Sequence, residues 1–397
     1  MDNNTFLLFF LLPIIVTRAA LIVGGGVTIG AGGAGGGVWI GGGPNTPPSS
    51  PLSRAYTALQ TWKSAITADP LGITKSWAGP NVCSYRGVFC TDTVDFMGNP
   101  TGKAVAAVDL NHANLQGTLV KELALLTDLS LFHVNTNRFT GTVPASFRQL
   151  PSLTELDLSN NHFSGPFPSS VLYIPNLVYL DIRFNSFSGP IPDELFDKKL
   201  DAIFINNNNF DGQLPDNLGN SPASVVNLAN NKFTGPIPFS LSYMGIKEIL
   251  FLNNQLTGCV PQGIGMWADL QVLDVSYNSL MGHLPESLSC LGEIEVLNLA
   301  HNKLSGELPD LVCSLRNLFN LTVAANFFSG FSQNCDKLFD GFDFSMNCVP
   351  GKEMQRPQPD CSGVPGTGLS CIRIPSAKPL VCGALIGAQI GAAPLIP

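Results

Sequence analysis

The sequence predicts an α/β solenoid. Its short parallel strands line a concave face, and its convex side is extended or 3-10. A helical, disulfide-bonded cap closes the N-terminal end, and a cysteine-rich tail closes the other. Three observations carry that prediction. The phrase Asn-x-[Leu/Phe]-x-Gly recurs nine times after a degenerate copy, A-N-L-Q-G, with closing glycines Gly117, Gly141, Gly165, Gly189, Gly212, Gly235, Gly258, Gly282, Gly306 and Gly330. These glycines are 24 or 23 residues apart, a period that marks stacked coils of the leucine-rich kind. Within each coil, apolar residues alternate with polar ones as in a strand with one buried face, and the cysteines gather toward the array's ends.

Composition narrows the function classes. The chain has 397 residues and a net charge of −8. Residues 104 to 330 hold 10 Lys/Arg and 20 Asp/Glu, a net −10, whereas residues 331 to 397 hold 5 of each. That balance argues against nucleic-acid binding, which needs clustered cations. Phe6 to Val16 is an apolar run followed by Thr17-Arg18-Ala19, so residues 1–19 read as a secretory signal, though without a basic start. The run is shorter than the roughly 20 residues of a spanning helix, and no other segment reaches that length. The ten cysteines, Cys83, Cys90, Cys259, Cys290, Cys313, Cys335, Cys348, Cys361, Cys371 and Cys382, include no C-x-x-C and have no histidine near the tail. They predict disulfides in an oxidising compartment, with the pairing left open and no metal or cofactor expected.

The elements follow in order. Residues 20–50 form a Gly/Pro-rich arm, with 12 glycines in the 20 residues from Gly24 to Gly43, too poor in side chains to pack. Residues 51–103 form the cap. There Leu52, Tyr56, Leu59, Trp62 or Lys63, and Ile66 fall at helical spacing, and Asp69-Pro70 is the expected stop. A short loop between Cys83 and Cys90 follows and covers the first coil's open core. Residues 104–330 are the ten-repeat array, 331–382 a cysteine-rich tail with little periodicity, and 383–397 an apolar Gly/Ala-rich segment. A lipid-anchor signal is one reading of that last segment.

One repeat shows the physics. Leu156 and Leu158 alternate with Glu155, Asp157 and Ser159, giving a strand with its leucines inward. Asn161 stands where the chain leaves the strand, and its amide can satisfy buried backbone groups of neighbouring coils, so stacked copies form an asparagine ladder. Phe163 fills the core, Gly165 permits a tight turn, and Pro168 favours the extended or 3-10 convex side. The Gly-x-[Ile/Val/Leu/Phe]-Pro ending resembles the plant-type leucine-rich repeat.

The wider resemblance rests on four features. They are the leader ending Gly-Val-Trp-Ile-Gly-Gly-Gly, the cap with Cys83 and Cys90, ten plant-type repeats, and the tail Asn347-Cys348-Val-Pro-Gly-Lys through Arg356 to Cys361. Over residues 20 to 382 the chain resembles the plant leucine-rich repeat extensin family. The resemblance implies an extracellular cell-wall protein that binds a small basic cysteine-rich peptide, of the rapid alkalinization factor type, in wall expansion. Further partners it allows are pectin and a receptor kinase, and a homodimer is left open. Two features depart from the family. Tyr85 stands where the cap motif usually has Trp, and no Ser-Pro-Pro-Pro-Pro run follows the tail, which places the chain with relatives lacking the extensin half.

The column four residues before each ladder asparagine is expected to face solvent. With its neighbours it supplies the candidate ligand-binding face: Asp109, His133, Glu155, Asp157, Tyr179, Asp181, Arg183, Phe204, Asn227, Glu248, Leu250 and Asp274. Neighbouring coils lie about 4.8 Å apart, so Asp157 and Asp181 are expected to be adjacent carboxylates, compensated by Arg183 and by a ligand's cation. Phe204 and Leu250 are apolar where polar residues are expected, which suggests a contact patch. Asn320-Leu-Thr322 is an N-glycosylation sequon. His112, His133, His162, His283 and His301 are scattered over five repeats without metal or triad spacing, so an enzyme is not expected. The alternative reading is an inhibitor of pathogen polygalacturonase in plant defence, a class with a similar number of plant-type repeats.

Overall fold

In the computed structural model the described residues are 50–240, 245–331, 335, 342–363 and 371. The chain divides into two compact units, Met1–Pro48 and Ser49–Pro397, and every described residue belongs to the second. The expected signal segment, nearly all of the Gly/Pro arm, Cys382 and residues 383–397 lie outside the described residues.

The cap helix spans Pro51–Ala65, with the Ser50 hydroxyl accepting from the Ser53 N–H at 3.2 Å. Its buried stripe is Ala55, Ala58, Leu59 and Trp62. Tyr56, expected inward, is 38% exposed; the small alanines let the helix approach the first coil instead. The helix ends before Asp69-Pro70 because Ile66–Ala68 leaves it to pair antiparallel with Gln116–Thr118. The Trp62 indole donates to the Thr118 carbonyl at 3.2 Å and lies against Trp77, Phe132 and Phe139. Tyr85 is buried, stacks on Trp77 at 5.8 Å, donates to the Gly79 carbonyl and accepts from Gln60.

Two sheets run the length of the solenoid. The concave sheet has twelve strands among the described residues, from Val88–Val94 to Phe342–Asp343. Its first pair is antiparallel and the rest are parallel. The second sheet, which the repeat pattern did not reveal, has eleven strands among the described residues: the cap strand Ile66–Ala68 and ten from the Asn-x-[Leu/Phe]-x-Gly segments and their degenerate copy, such as His162–Gly165. Most convex turns are 3-10, as at Ala145–Gln149 after Pro144.

The core is one continuous cluster. Phe139, Phe163, Phe187, Phe210 and Phe233 stack in a row with ring centroids 6.2 to 6.5 Å apart. Each such pair adds about 0.5–1.5 kcal/mol beyond area burial. Beside the row runs the asparagine ladder. Asn161 Nδ2 donates to the carbonyls of Val134, Leu158 and Ser159, and its Oδ1 accepts from the Phe139 N–H at 3.0 Å. The ladder extends past Gly330, where little periodicity was expected. Asn347 accepts from the Phe328 N–H at 3.0 Å and donates to the Val323 carbonyl at 3.0 Å. Phe342, Phe344 and Asn347 thus make a degenerate eleventh rung. Arg356 seals it, donating to the Asn326 carbonyl at 2.8 Å and lying 4.4 Å over the Phe327 ring.

The structure settles pairings that the sequence left open. Cys83–Cys90 closes the cap loop, while Cys313–Cys335 and Cys348–Cys361 pin the last coils. Cys259–Cys371 ties the tail back across 112 residues. Cys290 is also disulfide-bonded.

Gly117 shows how tightly the cap seats. A Cβ there would lie 2.3 Å from the Ala65 carbonyl oxygen. Gly117→Ala is expected to cost about 2–3 kcal/mol, because backbone rather than a side chain must move. Urea unfolding of the variant measures it, and a shift under about 0.5 kcal/mol would show that the junction is loose.

Candidate ligand-binding face

The parallel register puts the candidate residues on one surface. Asp109, His133, Asp157, Asp181, Phe204, Asn227, Leu250 and Asp274 are successive partners across the concave strands. Glu155, Tyr179 and Glu248 lie in the column two residues earlier, and Arg183 two residues after Asp181. Asn320 pairs with Val296 near the far end, and its side chain accepts from the Thr322 hydroxyl at 3.3 Å.

The expectation that this column faces solvent holds only in part. Asp109 is exposed and His133, Asp157, Phe204 and Leu250 are half-buried, but Asp181, Asn227 and Asp274 are buried, Asp181 completely at 0% exposure. What packs over each side chain makes the difference, because the local turn is common to exposed and buried members. The side chain in this column turns back on its own strand end. Asp157 Oδ1 accepts from the Ser159 N–H at 2.9 Å and the Ser159 hydroxyl at 2.6 Å. Asp274 does the same with Ser276. Asp109, Asp181, Asn227 and Asn298 each accept from the N–H two residues on. These Asx turns satisfy a backbone donor where the chain leaves the strand, which is why Asp and Asn recur there.

Around Asp157 and Asp181 the geometry is charged. Arg183 Nε lies 3.0 Å from Asp181 Oδ2, and its guanidinium sits 5.1 Å over the Phe204 ring. Arg183 therefore already fills a cation position beside the buried carboxylate. The Tyr179 hydroxyl donates to Asp181 Oδ2 at 3.4 Å, and its ring packs on Phe204. On the neighbouring coil His133 Nε2 is 3.3 Å from Glu155 Oε2. Burial, and then the Asp157 charge, push Asp181 up to about 8 against the pull of Arg183. Burial, then the Asp181 and Asp157 charges, raise Tyr179. Burial also raises Asp274, against hydrogen bonds from Ser276 and Asn298. Glu248 is raised by burial and then by Glu295.

Beyond Phe204 the face turns apolar. Ala202, Val225 and Val272 lie in the earlier column, with Glu248 among them, and Phe204 and Leu250 in the next, with Asn227 between them. Asn206, 5% exposed, keeps Oδ1 without a hydrogen-bond partner among the described residues. Of the next position along the strands the sequence pointed only to Arg183; the period-two alternation also brings Asn206, Ala229, Leu252 and Ser276 there. Among the described residues no cluster of three His, Cys, Asp or Glu could hold a metal ion, and no helix is long and apolar enough to cross a membrane.

A concave parallel sheet on an asparagine-laddered solenoid defines a leucine-rich repeat array. Family models agree: Leucine rich repeat N-terminal domain matches residues 53–91, Leucine rich repeat residues 126–187, and Leucine Rich Repeat residues 269–291 and 293–315. The chain is 66% identical over 156 residues to leucine-rich repeat extensin-like protein 4 of Arabidopsis thaliana, 39% of this chain and 31% of that protein. It is 67% identical over 156 residues to leucine-rich repeat extensin-like protein 3 of the same plant, 39% of this chain and 20% of that protein. Over the matched residues the chain is similar to the leucine-rich repeat extensin-like proteins. The match spans less than a third of either relative. Among solved structures, the ectodomain of the Arabidopsis receptor kinase HAESA, in complex with an N-terminally extended IDA peptide hormone, superposes with a TM-score of 0.58 at 28% identity. That likeness covers 75% of this chain and 54% of HAESA's.

Proposed function

We propose that this chain is a secreted cell-wall protein whose concave face binds a basic, cysteine-rich signalling peptide of the rapid alkalinization factor type, in wall expansion and integrity signalling. The observation that carries the reading is the run of Glu155, Asp157 and Asp181 on adjacent coils, with Arg183 beside Asp181 and His133 beside Glu155. A ligand cation docking on the half-buried Glu155 and Asp157 relieves their mutual repulsion. The apolar stretch from Phe204 to Leu250 offers non-polar contact beside it. The extensin-like relatives and a peptide-bound neighbour support the reading, and the disulfides suit an extracellular setting. The face serves binding rather than catalysis, since its buried acids are engaged in turns and an ion pair.

The test is calorimetric titration of the disulfide-bonded protein with a folded basic cysteine-rich peptide. Glu155→Gln with Asp157→Asn is expected to weaken binding at least tenfold, about 1.4 kcal/mol. Unchanged affinity removes these residues from the site. Inhibition of a fungal polygalacturonase with no peptide bound overturns the reading in favour of the inhibitor.

A further inference from the structure

The residue before each ladder asparagine has left-handed backbone. In several coils it is asparagine: Asn160, Asn207, Asn230 and Asn253, with φ between 53° and 55°. Asparagine tolerates this region because its short side chain bonds locally. Tyr277 and His301 hold φ 53° at the same position, where a bulky ring is costlier than asparagine. Core packing does not explain the choice, since Tyr277 is 52% exposed and His301 is exposed. The two rings lie nearly parallel, 13° apart, with centroids 4.1 Å from each other.

These residues form a row on the rim of the concave face. Backbone bonds from Asn207 to Ala229, Asn230 to Leu252, Asn253 to Ser276, Tyr277 to Ala300 and His301 to Ala324 join each coil to the next. The row therefore advances by about one strand spacing per residue, ~4.8 Å. Asn253 Nδ2 donates to Asn230 Oδ1 at 2.9 Å, so the amides already align along it. Beyond His301 the next coil offers only the methyl of Ala325. The row contains no carboxylate, lysine or arginine.

We infer that this rim binds a neutral linear glycan. Exposed aromatic faces take the C–H faces of pyranose rings, and amides pair with hydroxyls as both donors and acceptors. A linear pyranose chain advances by roughly one strand spacing per sugar, so successive sugars meet successive coils. The absence of lysine and arginine from the row favours a neutral chain over a polyuronate. The surface is separate from the acidic cluster and independent of the peptide reading.

The test titrates the protein with cellohexaose and a xyloglucan heptasaccharide, and with oligogalacturonate as the charged comparison. The double variant Tyr277→Asn/His301→Asn installs the residue that neighbouring coils carry at the same φ. It is expected to melt no lower than the parent and to lose neutral-glycan affinity at least tenfold. Phe184→Asn, at the same position four coils from Tyr277, is expected to change nothing. Failure of both neutral glycans to bind at millimolar concentration, unchanged affinity in the double variant, or tighter binding of oligogalacturonate would each overturn the inference.

Discussion

Replacing Asn208 by leucine is expected to lower the unfolding free energy by about 3–5 kcal/mol, the largest single effect anticipated in the array. Its Nδ2 donates to the carbonyls of Ile182, Ile205 and Asn206, and its Oδ1 accepts from the Phe187 N–H at 3.0 Å. Leucine has similar volume but cannot bond, so the Phe187 N–H is orphaned inside the core and three carbonyls lose a donor. An orphaned buried group costs about 1–3 kcal/mol and each lost bond about 1. Because coils touch only their neighbours, the loss should appear first as early unfolding of the central repeats. Asn317 supplies the control: its amide is exposed and bonds the Gly292 carbonyl at the surface, so Asn317→Ala should cost under about 0.5 kcal/mol. Urea unfolding with hydrogen exchange measures both, and a cost under about 1 kcal/mol at Asn208 would refute the ladder's energetic role.

The second large effect is a pH dependence centred on Asp181. Its carboxyl is pushed up to about 8 in the fold, against about 3.9 in an unfolded chain. Between those values the folded state holds a proton that the unfolded state has released. The group's contribution is therefore fully present below about pH 4 and is lost as pH rises through about 8. Stability should fall by more than about 1 kcal/mol between pH 5 and pH 8 in the parent, and the slope should flatten in Asp181→Asn. Attraction for a basic peptide should move the opposite way, strengthening as Asp181 ionises. A parent and an Asp181→Asn variant with superimposable pH profiles would show that Arg183 keeps the carboxylate ionised throughout.

Much of the fold was legible because the coil repeats. The ladder asparagines, the core phenylalanines and the inward leucines stand at fixed spacing, and any one coil predicts the rest. The eleventh rung at Asn347 was missed: Phe342, Phe344 and Asn347 keep the spacing within a coil, but Asn347 follows Asn326 by 21 residues and no glycine phrase announces it. The cap helix was placed correctly, yet its buried face was misassigned, because Ala55 and Ala58 carry a weak hydrophobic signal and Tyr56 a strong one. The second sheet had no signature of its own, since its residues double as the turn phrase.

The candidate face was legible as a column and not as an environment. Register alone set Asp157, Asp181 and Phe204 side by side, because parallel coils of one period must align. Their burial depends on what closes over them, and that is tertiary. Tyr179, Arg183 and Phe204 come together over Asp181 from two adjacent coils, while Asp157 on the next coil stays half-buried. The sequence by itself determined the solenoid, its ladder and the order of side chains along the concave strands, since all three follow from periodicity. Only the tertiary structure decided which acids are buried, which cysteines meet and which aromatics stand in solvent. Those outcomes depend on contacts between coils, and no single repeat contains them.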